Sequence, residues 1–277
     1  MAQRSRLLTS TEAADFLGAS PTSVKRWADE GMLPCVRTAG RHRRFTQEDL
    51  ERFARDRMGV PGRGGPDGAS GDVEGWIQDL TEARPYRIQA RLYEARSDLG
   101  SWRAVCDALG PVIDELGSSW AAGRITVVQE HLASEQLTRA LARVSDTVPL
   151  PEAAPRAMLA TLEDEEHTLG LSLVELALRE LGWRSVWIGR KTPLAGLAKA
   201  LDDQGVSVLA ISASIHASDK MKLRQYVRDL RAMCEPRQIQ LLLGGRGAWP
   251  RPPAYGVVVD DFQHLGRVVP RPDAIDR

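Results

Sequence analysis

Three short clusters in the second half of the chain combine side chains and backbone freedom in ways that could hold a ligand. The first is Glu165-Glu166-His167-Thr168-Leu169-Gly170. A histidine on such a loop can present a neutral imidazole nitrogen to a metal. The second is Ser212-Ala213-Ser214, whose two hydroxyls can project from a strand end. The third is Gly244-Gly245, followed by Arg246 and Gly247, where paired glycines let the backbone come close to a ligand. Alone, His167 would more often be a solvated or hydrogen-bonded side chain. Its company gives it meaning. A plain nucleotide site would put a glycine-rich loop first; here that loop is acidic and carries a histidine.

These clusters need elements to bring them together. Apolar runs at 157–162, 185–188, 206–212, 239–243 and 256–259 predict strands, and amphipathic runs at 169–181, 194–204, 218–234 and 262–268 predict helices. The alternation predicts a parallel, flavodoxin-like doubly wound sheet over 149–277, in the order 2-1-3-4-5. The clusters then fall at the carboxyl ends of strands one, three and four. Strands one and three flank the switch point, so the loops converge on one crevice.

Residues 76–148 predict a bundle of about four helices, with breaks near Gly100, Gly110-Pro111 and Gly117–Ser119 and a last helix from about Thr126 through Leu141. This layer carries Trp120 and Glu130-His131; Val127, four residues before His131, shares its helix face. Taken singly, the Trp would be core and the Glu-His pair surface.

The first 57 residues read as a small basic module. Thr9 and Glu12 have capping-box spacing, Gly18 stops the first helix, and Ser20-Pro21 starts a second. A short hairpin turning at Gly40 follows, then a third helix over 47–57 capped by Thr46 and Asp49. Eleven Lys and Arg against eight Asp and Glu leave +3 over this segment, concentrated in the second helix and the hairpin. Thr22, Ser23, Lys25 and Arg26 are candidate base readers, and Arg41, His42, Arg43 and Arg44 form a basic wing. A protein-binding helical module is the plainer alternative. The order and the wing resemble the winged helix-turn-helix of the MerR family and the excisionases, which implies binding to promoter DNA. Residues 58–75, with seven Gly and two Pro, read as a flexible linker. No coiled-coil heptads follow the head, so any oligomer must be built elsewhere.

The chain has 277 residues, enough for a multidomain α and α/β protein, and 37 basic against 37 acidic residues, so only local charge informs. Three dispersed cysteines make neither a disulfide framework nor a zinc set. No signal-peptide core or membrane-length apolar run is present, so a cytoplasmic location is expected.

The spacing His-x-x-Gly, forty-one residues, Ser-x-Ser, twenty-nine residues, Gly-Gly resembles base-off/His-on cobalamin-binding domains. The resemblance implies that His167 is the lower axial ligand to cobalt and that Gly170 clears space. It also implies that Ser212 and Ser214 meet the displaced nucleotide tail, and that Gly244 and Gly245 let backbone pass close. Glu165, where that family often has Asp, would orient the imidazole; Ser214 stands where Leu is common. With the head, the bundle and its Trp, nine residues, Glu-His element, the chain resembles the light-sensing CarH/LitR regulators from about Leu7 to Val269. That resemblance implies adenosylcobalamin as cofactor and a bundle over the upper corrin face. Trp120 and Val127 would line the adenosyl pocket, Glu130 would bond the adenosyl group, and His131 would take the upper cobalt site after light. It further implies a DNA-binding homo-oligomer, a tetramer in the dark, that comes apart in light, and no enzyme activity. A corrinoid enzyme or methyl-transfer module, or a sensor of another cobalamin or a bilin, is the alternative.

Overall fold

The computed structural model describes residues 7–17, 21–29, 31, 33–38, 40, 42–47, 49, 50, 53 and 72–269. The contacts divide the chain into two compact units, Met1–Gly100 with Ala108–Arg143 and Ser101–Asp107 with Val144–Arg277.

In the first unit, helix α1 (Ser10–Leu17) opens with the expected capping box: Thr9 N–H donates to Glu12 Oε2 at 2.7 Å and Glu12 N–H to Thr9 Oγ1 at 3.2 Å. Pro21 begins α2 (Pro21–Asp29), and β1 (Val36–Arg37) pairs antiparallel with β2 (Arg43–Arg44) as the hairpin. Ala13, Ala14, Val24, Leu33 and Phe45 are buried. Gly18, Ser20, Arg41 and most of the linker lie outside the described residues, as does much of the third helix.

Among the described residues four further helices belong to this unit: α3 (Val73–Thr81), α4 (Pro85–Leu99), α6 (Gly110–Ala121) and α7 (Val127–Thr147), the last turn of α7 from Val144 falling in the second unit. Asp72 caps α3 through Gly75 N–H, so helix begins within the stretch read as linker. The expected break at Gly117–Ser119 is absent. Leu116 is buried there, and the Ser119 hydroxyl is satisfied within the helix by Glu115 at 2.6 Å. Helix α7 outruns its expected end because Ala140, Leu141 and Val144 extend its buried face.

The short helix α5 (Trp102–Ala108) packs with the sheet unit. Its first two N–H groups, on Trp102 and Arg103, donate to the Glu180 carboxylate at 2.7 and 3.1 Å, and Asp107 accepts the Phe262 N–H at 2.7 Å. The sheet comprises β3 (Arg156–Thr161), β4 (Arg184–Gly189), β5 (Val208–Ser212), β6 (Gln240–Gly244) and β7 (Val257–Val258). All pairings are parallel, and the spatial order β4-β3-β5-β6-β7 is the expected flavodoxin-like one. Alternation along β3 sends Met158 and Ala160 into one core, with Leu197, Leu201, Val227 and Leu230 from helices α9 (Leu194–Gln204) and α10 (Lys220–Cys234). Ala157 and Leu159 enter the other, with Leu171, Leu178 and Leu265 from α8 (Leu169–Glu180) and α11 (Phe262–Val268). Among the described residues no helix is long and apolar enough to cross a membrane.

Candidate functional site

Register brings the three clusters together. Thr161 pairs with Ser212 across β3 and β5, and Ser212 pairs with Gly244 across β5 and β6. The chain leaves all three strands side by side at their carboxyl ends, where open α/β sheets bind ligands.

The loop after β3 is fixed at Glu165. Its carbonyl accepts the Thr161 hydroxyl at 2.8 Å and the Lys191 N–H at 3.0 Å. Its side chain is only 5% exposed. Oε1 accepts the His167 N–H at 2.9 Å and lies 2.5 Å from His167 Nδ1; Oε2 accepts the Ser214 N–H at 2.7 Å. Burial alone would raise the Glu165 pKa. Hydrogen bonds from the Ser214 hydroxyl and N–H and from His167 outweigh it and hold the group at about 2. An ionised Glu165 requires a proton on Nδ1, which leaves the lone pair on Nε2 of a side chain 61% exposed. That is the form in which histidine binds a metal, with a carboxylate behind it.

Beside the loop a cavity of about 580 Å³ runs along the carboxyl ends of β5 and β6. Leu171, Ile211, Leu243 and Leu265 give it an apolar floor, and Ser212, Gly244 and Gly245 line its wall. Gly245 has φ +79°, and a Cβ there would run into the Ala213 carbonyl oxygen; a Cβ on Gly247 would come within 2.7 Å of Ala213 Cβ. The Trp249 indole N–H donates to the Gly244 carbonyl at 2.8 Å and holds this turn. Gly170 borders the cavity, and a Cβ on it would approach Ser212 Oγ to 3.2 Å.

The geometry divides the two serines. Ser212 lines the cavity, whereas Ser214 turns to Glu165 and is absent from the lining. Thr161, Trp249 and His216 are further participants that the sequence reading passed over. Thr161 was visible as the one polar residue inside the apolar run 157–162. His216 was visible only as one of five histidines in the chain, two residues past Ser214.

Among the described residues no three His, Cys, Asp or Glu side chains are grouped to hold a metal ion. One imidazole fits a metal that brings its remaining ligands with it, as cobalt in a corrin ring does. The adjoining slot has one buried hydroxyl, on Ser212, and apolar and glycine lining, with Arg246, Arg251, Asp260 and Asp261 also along it, and so offers a mostly apolar cleft with a few polar groups to a ligand.

In the first unit, Trp120 is 46% exposed, and Val127, Val128 and Leu132 are also exposed. Thr126 and Gln129 cap the start of α7 reciprocally, at 2.9 and 3.2 Å. Glu130 accepts the Ser134 hydroxyl at 2.8 Å and lies 2.7 Å from His131 Nδ1; the His131 side chain is 75% exposed. On the head, Thr22, Lys25, Arg26 and His42 are exposed. Arg43 is committed to Asp29 at 2.5 Å, and Arg37 joins the same carboxylate at 3.1 Å, tying the wing to the end of α2.

A helix-turn-helix domain model matches residues 7–58, and a B12 binding domain model matches residues 72–145. The HTH-type transcriptional repressor CarH of Myxococcus xanthus is 27% identical over 271 residues, covering 85% of this chain and 88% of the relative. CarA of the same organism, also an HTH-type transcriptional repressor, is 32% identical over 146 residues, or 52% of this chain and 48% of that one. Among solved structures, the Methanosarcina barkeri monomethylamine corrinoid protein shares the fold at a TM-score of 0.53 and 15% identity, covering 70% of this chain and 94% of that one. The chain joins a helix-turn-helix domain to a B12 binding domain and is similar, along most of its length, to a CarH-type repressor.

Proposed function

We propose that this chain is a cobalamin-binding transcriptional repressor and that it uses adenosylcobalamin to make its hold on promoter DNA sensitive to light. The observation that carries the reading is the pairing of an imidazole, its Nε2 lone pair set by buried Glu165, with an adjoining slot lined by Ser212, Gly244 and Gly245. Similarity to CarH over 85% of the chain supports the regulatory half, and both repressor relatives favour a regulator over an enzyme.

Bound adenosylcobalamin supplies a cobalt–carbon bond that visible light can break. His167 would hold the cobalt through Nε2, Glu165 would hold the imidazole, and Ser212 with the Gly244-Gly245 turn would hold the tail. On the helical unit, Trp120, Val127 and Glu130 are the residues for the adenosyl group, and His131 offers an exposed imidazole once that group has gone. Thr22, Ser23, Lys25 and Arg26 would read DNA in the major groove, with the basic wing of Arg41, His42, Arg43 and Arg44 on phosphates. A dark tetramer would engage several heads at once and raise affinity beyond one head's. Light then biases a two-state assembly.

The test is to add adenosylcobalamin in the dark, illuminate with green light, and follow mass and promoter binding. Loss of the large species together with DNA release is expected; no change in either removes the light-switch reading. The shared fold with a corrinoid protein favours one other reading, a methyl-transfer module, which a promoter gel shift without any retarded band would support.

A further inference from the structure

We propose that His216 is a positioning residue for His167, fixing the plane of the imidazole that Glu165 fixes at one atom. The proposal rests on the reading of His167 as cobalt ligand. Glu165 sets the His167 tautomer and anchors Nδ1, but one hydrogen bond leaves a ring free to tilt about it. The His216 ring lies against the His167 ring, centroids 5.3 Å apart and planes 26° from parallel. Aromatic pairs at this separation attract and have a preferred geometry.

His216 is itself held from the backbone. Its N–H donates to Ser214 Oγ at 3.3 Å, and its carbonyl accepts the Ser218 N–H at 2.9 Å. Next to it, Ala217 donates to the Ser214 carbonyl at 3.0 Å and accepts from Ala248 N–H at 2.9 Å. Ser214 returns to Glu165 Oε2 through its own N–H. Glu165, His167, His216 and Ser214 thus form a closed circuit, in which each member is held from two sides. The circuit sets the direction of the Nε2 lone pair as well as its existence, and an axial ligand needs both. It also gives Ser214 a task in place of the tail contact: it couples the acidic turn to the turn that carries His216. Stacking asks only for a flat ring, so phenylalanine can substitute for histidine here and alanine cannot.

The experiment uses the full-length protein with cobalamin as probe. It compares the dissociation constant and the absorption spectrum of the wild type, His216→Ala and His216→Phe. His216→Ala is expected to weaken binding about twofold to tenfold, the usual worth of an aromatic pair, and to move the spectrum toward that of cobalamin without an axial nitrogen. His216→Phe should restore both. The proposal is overturned if His216→Ala matches the wild type in both readouts, or if His216→Phe does no better than alanine. A wild type that binds no cobalamin would be a different result: it would overturn the assignment of His167, and this proposal with it.

Discussion

Among the described residues two Glu–His pairs meet at the imidazole Nδ1, and they differ in what surrounds them. In each, a carboxylate meets the imidazole Nδ1, at 2.5 Å for Glu165 and His167 and at 2.7 Å for Glu130 and His131. Glu165 is 5% exposed and takes further hydrogen bonds from two backbone N–H groups, whereas Glu130 is 24% exposed and has the hydroxyl of Ser134 one turn on. His167 stacks on a second ring; His131 stands 75% exposed on the first turns of a helix. The first pair is built to hold one geometry. Among the described residues the second pair takes its hydrogen bonds from its own helix, through Ser134. The proposed roles, a fixed lower ligand at His167 and a conditional upper one at His131, draw on this difference.

The comparison can be broken most easily at the imidazoles. His167→Ala should lower cobalamin affinity by more than the tenfold to hundredfold that loss of an outer partner costs at a metal site, read by titration in the dark. His131→Ala should leave dark affinity within about twofold, since it touches a residue outside the lower site, but should alter the spectrum after illumination. Equal losses from the two substitutions would erase the distinction.

The carboxylates sharpen it. Glu165→Gln should cost about tenfold to a hundredfold in affinity, and Glu130→Gln, which removes one charged acceptor proposed to face the adenosyl group, less than about tenfold for adenosylcobalamin in the dark. Glu165 also predicts an acid limb. Its pKa is depressed in the folded chain to about 2 from an ordinary 4.5. Its contribution is therefore fully present above pH 4.5 and is lost as pH falls through 2. Acid unfolding of the sheet unit should flatten in Glu165→Gln over that window, as read by circular dichroism. Smaller still is Gly245→Ala, which puts a side chain at φ +79° against a backbone carbonyl. A loss of about 1–3 kcal/mol in stability is expected, and thermal melting of the unliganded protein measures it.

The convergence of the three clusters was legible because they sit at the ends of regular strands. Five apolar runs separated by amphipathic ones point to a doubly wound parallel sheet, and its order β4-β3-β5-β6-β7 brings the three loops together. What the strands do not dictate was harder to read. Whether Ser214 faces the cavity or Glu165 depends on the turn after β5, and period-two alternation ends at Ser212. Helix α5 joins the sheet unit through Glu180, seventy-eight residues away from Trp102, and no local pattern announces such a pairing. At Gly117 a local breaker was overridden by the burial of Leu116 beside it. In the head, the wing's positive charge was legible, but the commitment of Arg43 to Asp29 was not. That pair crosses from strand to helix and ties one guanidinium of the wing to the end of α2.

The central claim, that the imidazole of His167 and not the corrinoid's own base holds the metal, is open to one direct measurement. Cobalt(II) cobalamin is bound to protein whose histidines carry nitrogen-15, and the axial-nitrogen splitting is read by electron paramagnetic resonance. Ligation by His167 predicts that the threefold splitting seen with ordinary protein becomes twofold with the labelled one. A threefold splitting that survives labelling would mean that the nitrogen belongs to the cofactor's tail, and would contradict the account.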